Sequence, residues 1–254
     1  MNKGVLVLMA CVVERCEGEV TVSRRGHPRA ELVRVLATLR RFLREGTPWR
    51  SLRASEDEAS GSTLRRTLAR WAAHDVLGRA HRLAVGLLRR PGREVIVDSS
   101  SVRAKRRGEL TGPNPTDRGK HGIKYHLAVT RDGLPVACAA TGANVNDTVL
   151  FERLFRTALA VMGRIGTAYA DRGYDAESNR ALCRSHGVRP RIGRRRTRHG
   201  SGLGRKRWPV ERTNAWLLEN KRLGLRYDRK GFIVTALLQA ACLLIVAPRL
   251  ARDL

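Results

Sequence analysis

The hydrophobic period of this chain changes once, at Pro91-Gly92, and that change limits the folds open to it. Before it, apolar residues recur at three- and four-residue spacing. Leu32, Val35, Leu36, Leu39 and Leu43 share one face of a helix that Gly46-Thr47-Pro48 stops. A second helix is expected from about Ser62, with Leu64, Leu68 and Trp71 inside and Arg65, Arg66 and Arg70 outside, and a third over residues 75–88. After the change come strands: residues 94–98, then 125–130 and 135–141, joined about Arg131-Asp132-Gly133, a hairpin turn. A helix over 149–162 follows, for which Asp147-Thr148 is suited as a cap. The remainder reads as a strand at 167–171, a helix at 176–186, a short strand at 188–192 and an amphipathic stretch at 210–223.

Strand, hairpin, helix, strand, helix, strand, helix is the order of a ribonuclease H-like core. That is an α/β fold with a mixed sheet, in which the first and fourth strands are neighbours and a late helix crosses them. A length of 254 residues suits one sizeable core plus a small extra domain. The expected division is an irregular segment at 1–23, a helical domain at 24–90 and the ribonuclease H-like catalytic domain at 91–254. Three short helices with basic outer faces fit either a helix-turn-helix-like DNA-binding module or a helical cap on the core. Residues 4–13 imitate a signal segment and Leu8-Met9-Ala10-Cys11 imitates a lipoprotein cleavage site, but a single leading Lys and a short apolar run argue against export. The longest later apolar run, 236–248, is broken by Gln239 and reads as a buried terminal helix, with no membrane as partner.

Fifty Lys plus Arg stand against 23 Asp plus Glu, a formal net charge of +27, which predicts salt-sensitive attraction to a polyanion, nucleic acid above all. A hydrophobic share of 42% argues against a ribosomal or chromatin-like basic protein. The five cysteines, Cys11, Cys16, Cys138, Cys183 and Cys242, are odd in number and form no C-x-x-C pair. Neither a disulfide framework nor a zinc site follows, and a reducing, cytoplasmic setting beside the nucleoid is expected. No phosphate-binding glycine loop is present, so no nucleotide cofactor is expected. Ser99 to Ser101 lie in no nucleophile elbow, which argues against a serine hydrolase.

Asp98 closes the apolar run Val95-Ile96-Val97, Asp171 closes Thr167-Ala168-Tyr169-Ala170, and Glu211 opens the amphipathic stretch. Two strand-end carboxylates and one helix-borne carboxylate are the hard-oxygen set that two-metal phosphoryl transfer requires, with two Mg²⁺ or Mn²⁺ ions per site. In that scheme Asp98 bridges both ions, Asp171 holds the one that activates the nucleophile and Glu211 holds the other. Glu219, eight residues on, is the competing third ligand; Asp175 reads as a helix cap. Arg207 lies one helical turn before Glu211, where it can pair with the carboxylate or a phosphate, or stand as a surface cation. Residues 189–207 hold nine Lys or Arg with no acid, including Arg194, Arg195 and Arg196, and read as a clamp on a DNA backbone. Arg103, Lys105, Lys120 and Lys124 belong to a second basic segment beside Asp98. Neither segment carries interleaved aromatics, so backbone contact without sequence readout is expected.

These motifs carry a resemblance. Asp98-Ser99-Ser100-Ser101-Val102-Arg103-Ala104, Lys120-His121-Gly122-Ile123-Lys124-Tyr125-His126-Leu127, Asp171-Arg172-Gly173-Tyr174-Asp175 and Arg207-Trp208-Pro209-Val210-Glu211-Arg212-Thr213-Asn214-Ala215-Trp216-Leu217 resemble, in order, the signature of DDE transposases of bacterial insertion sequences. The insertion sequence five family, within the insertion sequence four-like superfamily, is the nearest group. The likeness runs from about Gly26-His27-Pro28-Arg29 to Leu244, and Thr47-Pro48-Trp49-Arg50-Ser51-Leu52 resembles the family's helical N-terminal domain. It implies a metal-dependent enzyme that cuts double-stranded DNA at terminal inverted repeats and joins the freed 3′-hydroxyls to target DNA, as a homo-oligomer across two ends. By motif, the acidic triad is Asp98, Asp171 and Glu211. Lys221 and Arg222 are the candidates for the family's basic residue after the Glu, and together with the cations above and Arg212 they complete the expected DNA contacts. Residues 1–22 match nothing in the family, and Ser55-Glu56-Asp57-Glu58 puts acid where relatives have a Gly- and Trp-containing loop. Two alternatives follow: an inactive or repurposed copy that binds DNA without cutting, and a stand-alone nuclease.

Overall fold

A computed structural model describes residues 3–19, 29–89, 92–196 and 203–254. In chain order its elements are α1 (Lys3–Gly18), α2 (Leu32–Glu45), α3 (Gly61–Ala73), α4 (Val76–Gly86), β1 (Glu94–Arg103), β2 (Gly112–Pro113), β3 (His121–Thr130), β4 (Pro135–Gly142), α5 (Thr148–Met162), β5 (Thr167–Ala170), α6 (Glu177–Ser185), β6 (Arg189–Ile192), α7 (Leu203–Leu218), α8 (Lys221–Gly224) and α9 (Gly231–Asp253). They divide into two compact units, Met1–Leu88 with Glu219–Leu254, and Arg89–Leu218.

In the first unit α2 buries Val35, Leu36, Leu39, Phe42 and Leu43, the face its spacing predicts. Gly46 ends it in the left-handed region at φ 71°, its N–H donating to Phe42 O at 3.1 Å. Ser60 caps α3 by accepting from the Thr63 N–H. Two expectations are corrected here. Residues 1–23 are not irregular throughout: α1 runs from Lys3 to Gly18 and buries Leu6, Met9, Val13 and Cys16. Its short apolar run read as a signal-like segment, which concealed a helical period. Glu17 ties α1 to α3, accepting from Arg70 Nη2 at 2.6 Å and from the indole N–H of fully buried Trp71 at 3.1 Å. The start of the family likeness, Gly26 to Pro28, lies outside the described residues. The second correction is the boundary, because residues 219–254 fold with the helical unit rather than extending the catalytic one. The cause is α9, apolar around most of its circumference, which packs against α4, α3 and α1. Its length and composition would span a membrane, yet 67% of its most apolar window is buried inside the fold, as expected of a core helix.

Arg222 is part of the same core. It is 6% exposed and paired through two hydrogen bonds with Asp228, at 2.7 and 3.0 Å. Its Nη1 donates to the Gly46 and Thr47 carbonyls, and its guanidinium lies 4.2 Å from the centre of the Phe42 ring. Asp228 also accepts from the Trp49 indole at 2.9 Å.

In the second unit the described strands form one mixed sheet in the order β2-β3-β1-β5-β6, with β4 also paired to β3. β1 runs antiparallel to β3 and parallel to β5, and β5 runs parallel to β6. Hairpin, β1, β5, β6 is the ribonuclease H-like arrangement that the element order implied, with the two-residue β2 added at the edge. β1 is longer than expected, reaching Arg103. β3 is buried at nearly every position from Gly122 to Thr130, so both sheet faces are covered. Neighbouring residues of β1 identify the covers: Asp98 meets Arg207 of α7 on one face, and Ser99 meets Asp147, ahead of α5, on the other. The hairpin turn fixes α7 in place. Arg212 donates to Asp132 O at 2.7 Å and Thr213 to Gly133 O at 2.6 Å.

Candidate carboxylate site

The parallel register places Asp98 and Asp171 at matching positions. The last pair of β1 and β5 is Val97 with Ala170, so each acid is the next residue along its chain; β5 ends there, whereas β1 runs on beside β3 to Arg103, so Asp98 stands mid-strand rather than closing a strand at 94–98 as expected. In open α/β sheets the carboxyl end of a parallel strand, here β5, is where ligand crevices form. α7 crosses the same strands, packing on β1, β3 and β5, and carries Arg207 and Glu211 one turn apart. Arg207 Nη2 lies 3.4 Å from Asp98 Oδ2, with the two side chains 18% and 15% exposed. Burial pushes the Asp98 carboxyl up to about 6; Arg207 opposes that, while the charges of Asp171 and Glu211 add to it. Asp98 therefore senses both of the other carboxylates. Among the described residues no three His, Cys, Asp or Glu side chains close around a single point, so they flank a common region without converging. Asp171 Oδ1 accepts the Gly173 N–H at 2.8 Å. Glu211 is exposed on α7. Glu219, its competitor, lies in the other unit and pairs with Arg44 at 3.1 Å.

The expected DNA contacts separate into two groups. Arg103, Lys105 and Lys120 line one hollow together with Arg107, Arg118 and His121. Arg103 is also paired with Asp117. Arg194, Arg195, Arg196 and Lys221 are exposed, and the rest of the clamp over 197–202 lies outside the described residues. Arg195 also has partners within the protein, the Arg172 and Gly173 carbonyls, and Lys124, Arg207, Arg212 and Arg222 are less exposed. Lys124 Nζ donates to Val145 O at 2.8 Å and to Asp147 at 3.0 Å. Arg212 lies between the rings of Trp208 and Trp216, 4.4 and 4.6 Å from their centres. The i, i+4, i+8 spacing of Trp208, Arg212 and Trp216 puts the three on one helical face and is the sequence signal for that stack. Arg222 is a correction: the expectation of a DNA contact fails because the guanidinium is buried against Asp228. Asp175 does not cap α6; it accepts from Arg180 and from the Arg195 N–H, each at 2.7 Å.

A second polar group occupies the opposite face. Asp147 does not cap α5, as expected of it, but accepts from Ser99 at 2.9 Å and from Lys124. His126, opposite Ser99 in the ladder and fully buried, shares a 2.8 Å hydrogen bond with Thr141. Burial holds its pKa at about 4 against the pull of Asp147, and Lys124 adds to the depression. The folded value lies below the ordinary 6.5, so the neutral ring contributes stability that is complete above pH 6.5 and lost as pH falls through 4. The difference amounts to about 3 kcal/mol at most. Denaturant unfolding at neutral pH and at about pH 4 checks this: wild type should lose ~1–3 kcal/mol more than His126→Gln. Equal losses would show that the ring is not buried neutral.

A known family spans all three carboxylates. Residues 89–246 match the family described as "Transposase DDE domain". A Burkholderia cepacia protein described as "Putative transposase for insertion sequence element IS402" is 46% identical over 142 residues, covering 53% of this chain and 67% of the relative. Among solved structures, a simian T-cell lymphotropic virus intasome in complex with PP2A regulatory subunit B56 gamma aligns at 17% identity and a TM-score of 0.40, over 59% of this chain and 49% of that one. A piggyBac transposase synaptic complex with hairpin DNA aligns at 13% identity and a TM-score of 0.37, over 80% of this chain and 44% of that one. The chain thus spans less than half the length of either solved chain.

Proposed function

The chain belongs to the transposase DDE-domain family, and from that premise we propose that it cuts DNA at the terminal inverted repeats of an insertion sequence and joins the freed 3′-hydroxyls to target DNA. The observation that carries this reading is the parallel register that sets Asp98 and Asp171 one residue beyond the last β1–β5 pair, against the helix that bears Glu211. Asp98, Asp171 and Glu211 are the residues that would hold a divalent cation, Mg²⁺ or Mn²⁺, two per site. The donor chemistry fits: the set is all hard oxygen, and mutual repulsion with burial makes the Asp98 charge costly in the absence of a cation. When bound, such ions supply Lewis-acid stabilisation of charge developing on the attacking and leaving oxygens.

The protein's own groups orient the strand. Arg207 neutralises part of the Asp98 charge, and its Nε is buried without a hydrogen-bond partner, a donor available to a phosphate oxygen. Arg103, Lys105 and Lys120 in their hollow, with Arg194, Arg195, Arg196 and Lys221, hold the DNA backbone through sequence-independent, salt-sensitive contacts. Joining two element ends calls for more than one copy of the chain on DNA, working in the cytoplasm where the chromosome lies. The test is incubation of the protein with Mg²⁺ and duplexes ending in the element's inverted repeat. Cut ends joined to target DNA are expected. Cutting without joining would make the protein a nuclease, and binding without either a relic.

A further inference from the structure

Asp147 stands where an N-cap would, directly before α5, yet its side chain makes no cap hydrogen bond. Asn146 does that work, its Oδ1 accepting the Thr148 N–H at 3.1 Å and the Thr148 hydroxyl at 3.0 Å. The Asp147 carboxylate turns to the sheet instead. Oδ1 accepts from Ser99 of β1 at 2.9 Å and from Lys124 of β3 at 3.0 Å. Oδ2 faces the turn after Asp171: a Cβ built on Gly173 would stand 2.9 Å from it and 2.9 Å from Asp171 Oδ1, so no more than twice that distance separates the two oxygens. Gly173 is the residue whose missing side chain permits that approach.

Two carboxylates this close repel, and Lys124 offsets only one side of Asp147. A buried group also points into the cluster. The Tyr174 hydroxyl, in a fully buried side chain, faces Ser99. Burial first, and then the charges of Asp147, Asp98 and Asp171, hold it far above the usual tyrosine range. Three acids from three separate elements therefore surround one buried hydroxyl, which Ser99 also faces.

We propose that Asp147 is a positioning residue of the carboxylate site, tying β1, β3 and the Asp171 turn together from the opposite face of the sheet and adding a fourth negative charge that favours a divalent cation at Asp98 and Asp171. The inference rests on the functional reading above and deepens it. Asp147 touches neither DNA nor the reacting atoms; it acts through Ser99 on the strand that carries Asp98 and through the Gly173 turn on Asp171.

The test uses the full chain and Asp147→Asn, which keeps shape and removes charge. Calcium, as a probe cation, is titrated by calorimetry beside Mg²⁺-dependent cleavage, melting and binding to inverted-repeat DNA. Groups that orient metal ligands typically matter ~10- to 100-fold, so calcium affinity should fall about tenfold and cleavage by at least that, with melting temperature and DNA affinity unchanged. Wild-type calcium affinity and cleavage would overturn the proposal, as would losses that merely follow a lower melting temperature. Should Asp147→Asn fold poorly, Ser99→Ala removes a single donor and is expected to weaken calcium binding about threefold at unchanged stability, a fraction of the effect of a whole supporting group; no change would count against it. Asp98→Ala, measured in parallel, separates the two claims. Cleavage persisting there would defeat the site itself, whereas an inactive Asp98→Ala beside a fully active Asp147→Asn would defeat only the role of Asp147.

Discussion

Alanine at Asp98, Asp171 or Glu211 is expected to abolish DNA cleavage while leaving DNA binding largely intact. Each acid belongs to the set that would hold the cations, so each loss removes several kcal/mol of transition-state stabilisation, about a thousandfold or more in rate. Binding survives because other side chains carry it, the exposed cations of Lys105, Lys120 and Arg194 to Arg196 among them. Glu219→Ala is the control: that carboxylate pairs with Arg44 in the other unit, and its removal should leave cleavage near wild type. Single-turnover cleavage and gel-shift titration on one labelled inverted-repeat duplex measure both quantities. Loss of binding in all three alanine variants would mean that they are structural acids.

Arg222→Ala is expected to destabilise the helical unit by about 3–5 kcal/mol, because it leaves the Asp228 carboxylate buried without its charge partner. Asp228 is 9% exposed, and the Trp49 indole would remain as its one neutral donor of those described above. Arg222→Lys should rescue little. A single ammonium cannot reproduce the two-point pairing with Asp228 while also reaching the Gly46 and Thr47 carbonyls and lying flat against Phe42. Urea unfolding followed by circular dichroism gives the free energy. Had Arg222 been a DNA contact, the same substitution would leave unfolding unchanged and weaken DNA binding instead.

The contrast between Arg222 and Asp98 shows which parts of this protein its sequence discloses. Asp98 and Asp171 announce themselves because each ends a short apolar run; for Asp171 that run is a buried parallel strand that stops before it, whereas β1 continues beyond Asp98 to Arg103, which the polar residues 99–101 concealed. The hairpin about Asp132-Gly133 was equally plain, since its turn residues leave few alternatives. Arg222 had no such marker. It follows Lys221 in a basic stretch, and only the distant partners Phe42, Gly46 and Thr47 reveal that it is enclosed. The return of α9 to the first unit was hidden for the same reason: periodicity shows that a helix is apolar but not which helices it packs against. Asp147 was misread because an Asp before a helix is usually a cap, and the residue that supplies the cap, Asn146, stands beside it. Arg212 was misjudged as a simple cation because tryptophans four residues to either side were never set on one helical face with it.

The central claim is that this carboxylate site performs metal-dependent cutting and joining of DNA ends. The most direct measurement sets wild type beside Asp98→Ala on a labelled inverted-repeat duplex with target DNA, with and without Mg²⁺. Nicked ends and joined products that require both Mg²⁺ and Asp98 are predicted. Products that form equally with Asp98→Ala, or without a divalent cation, would contradict the assignment of the site.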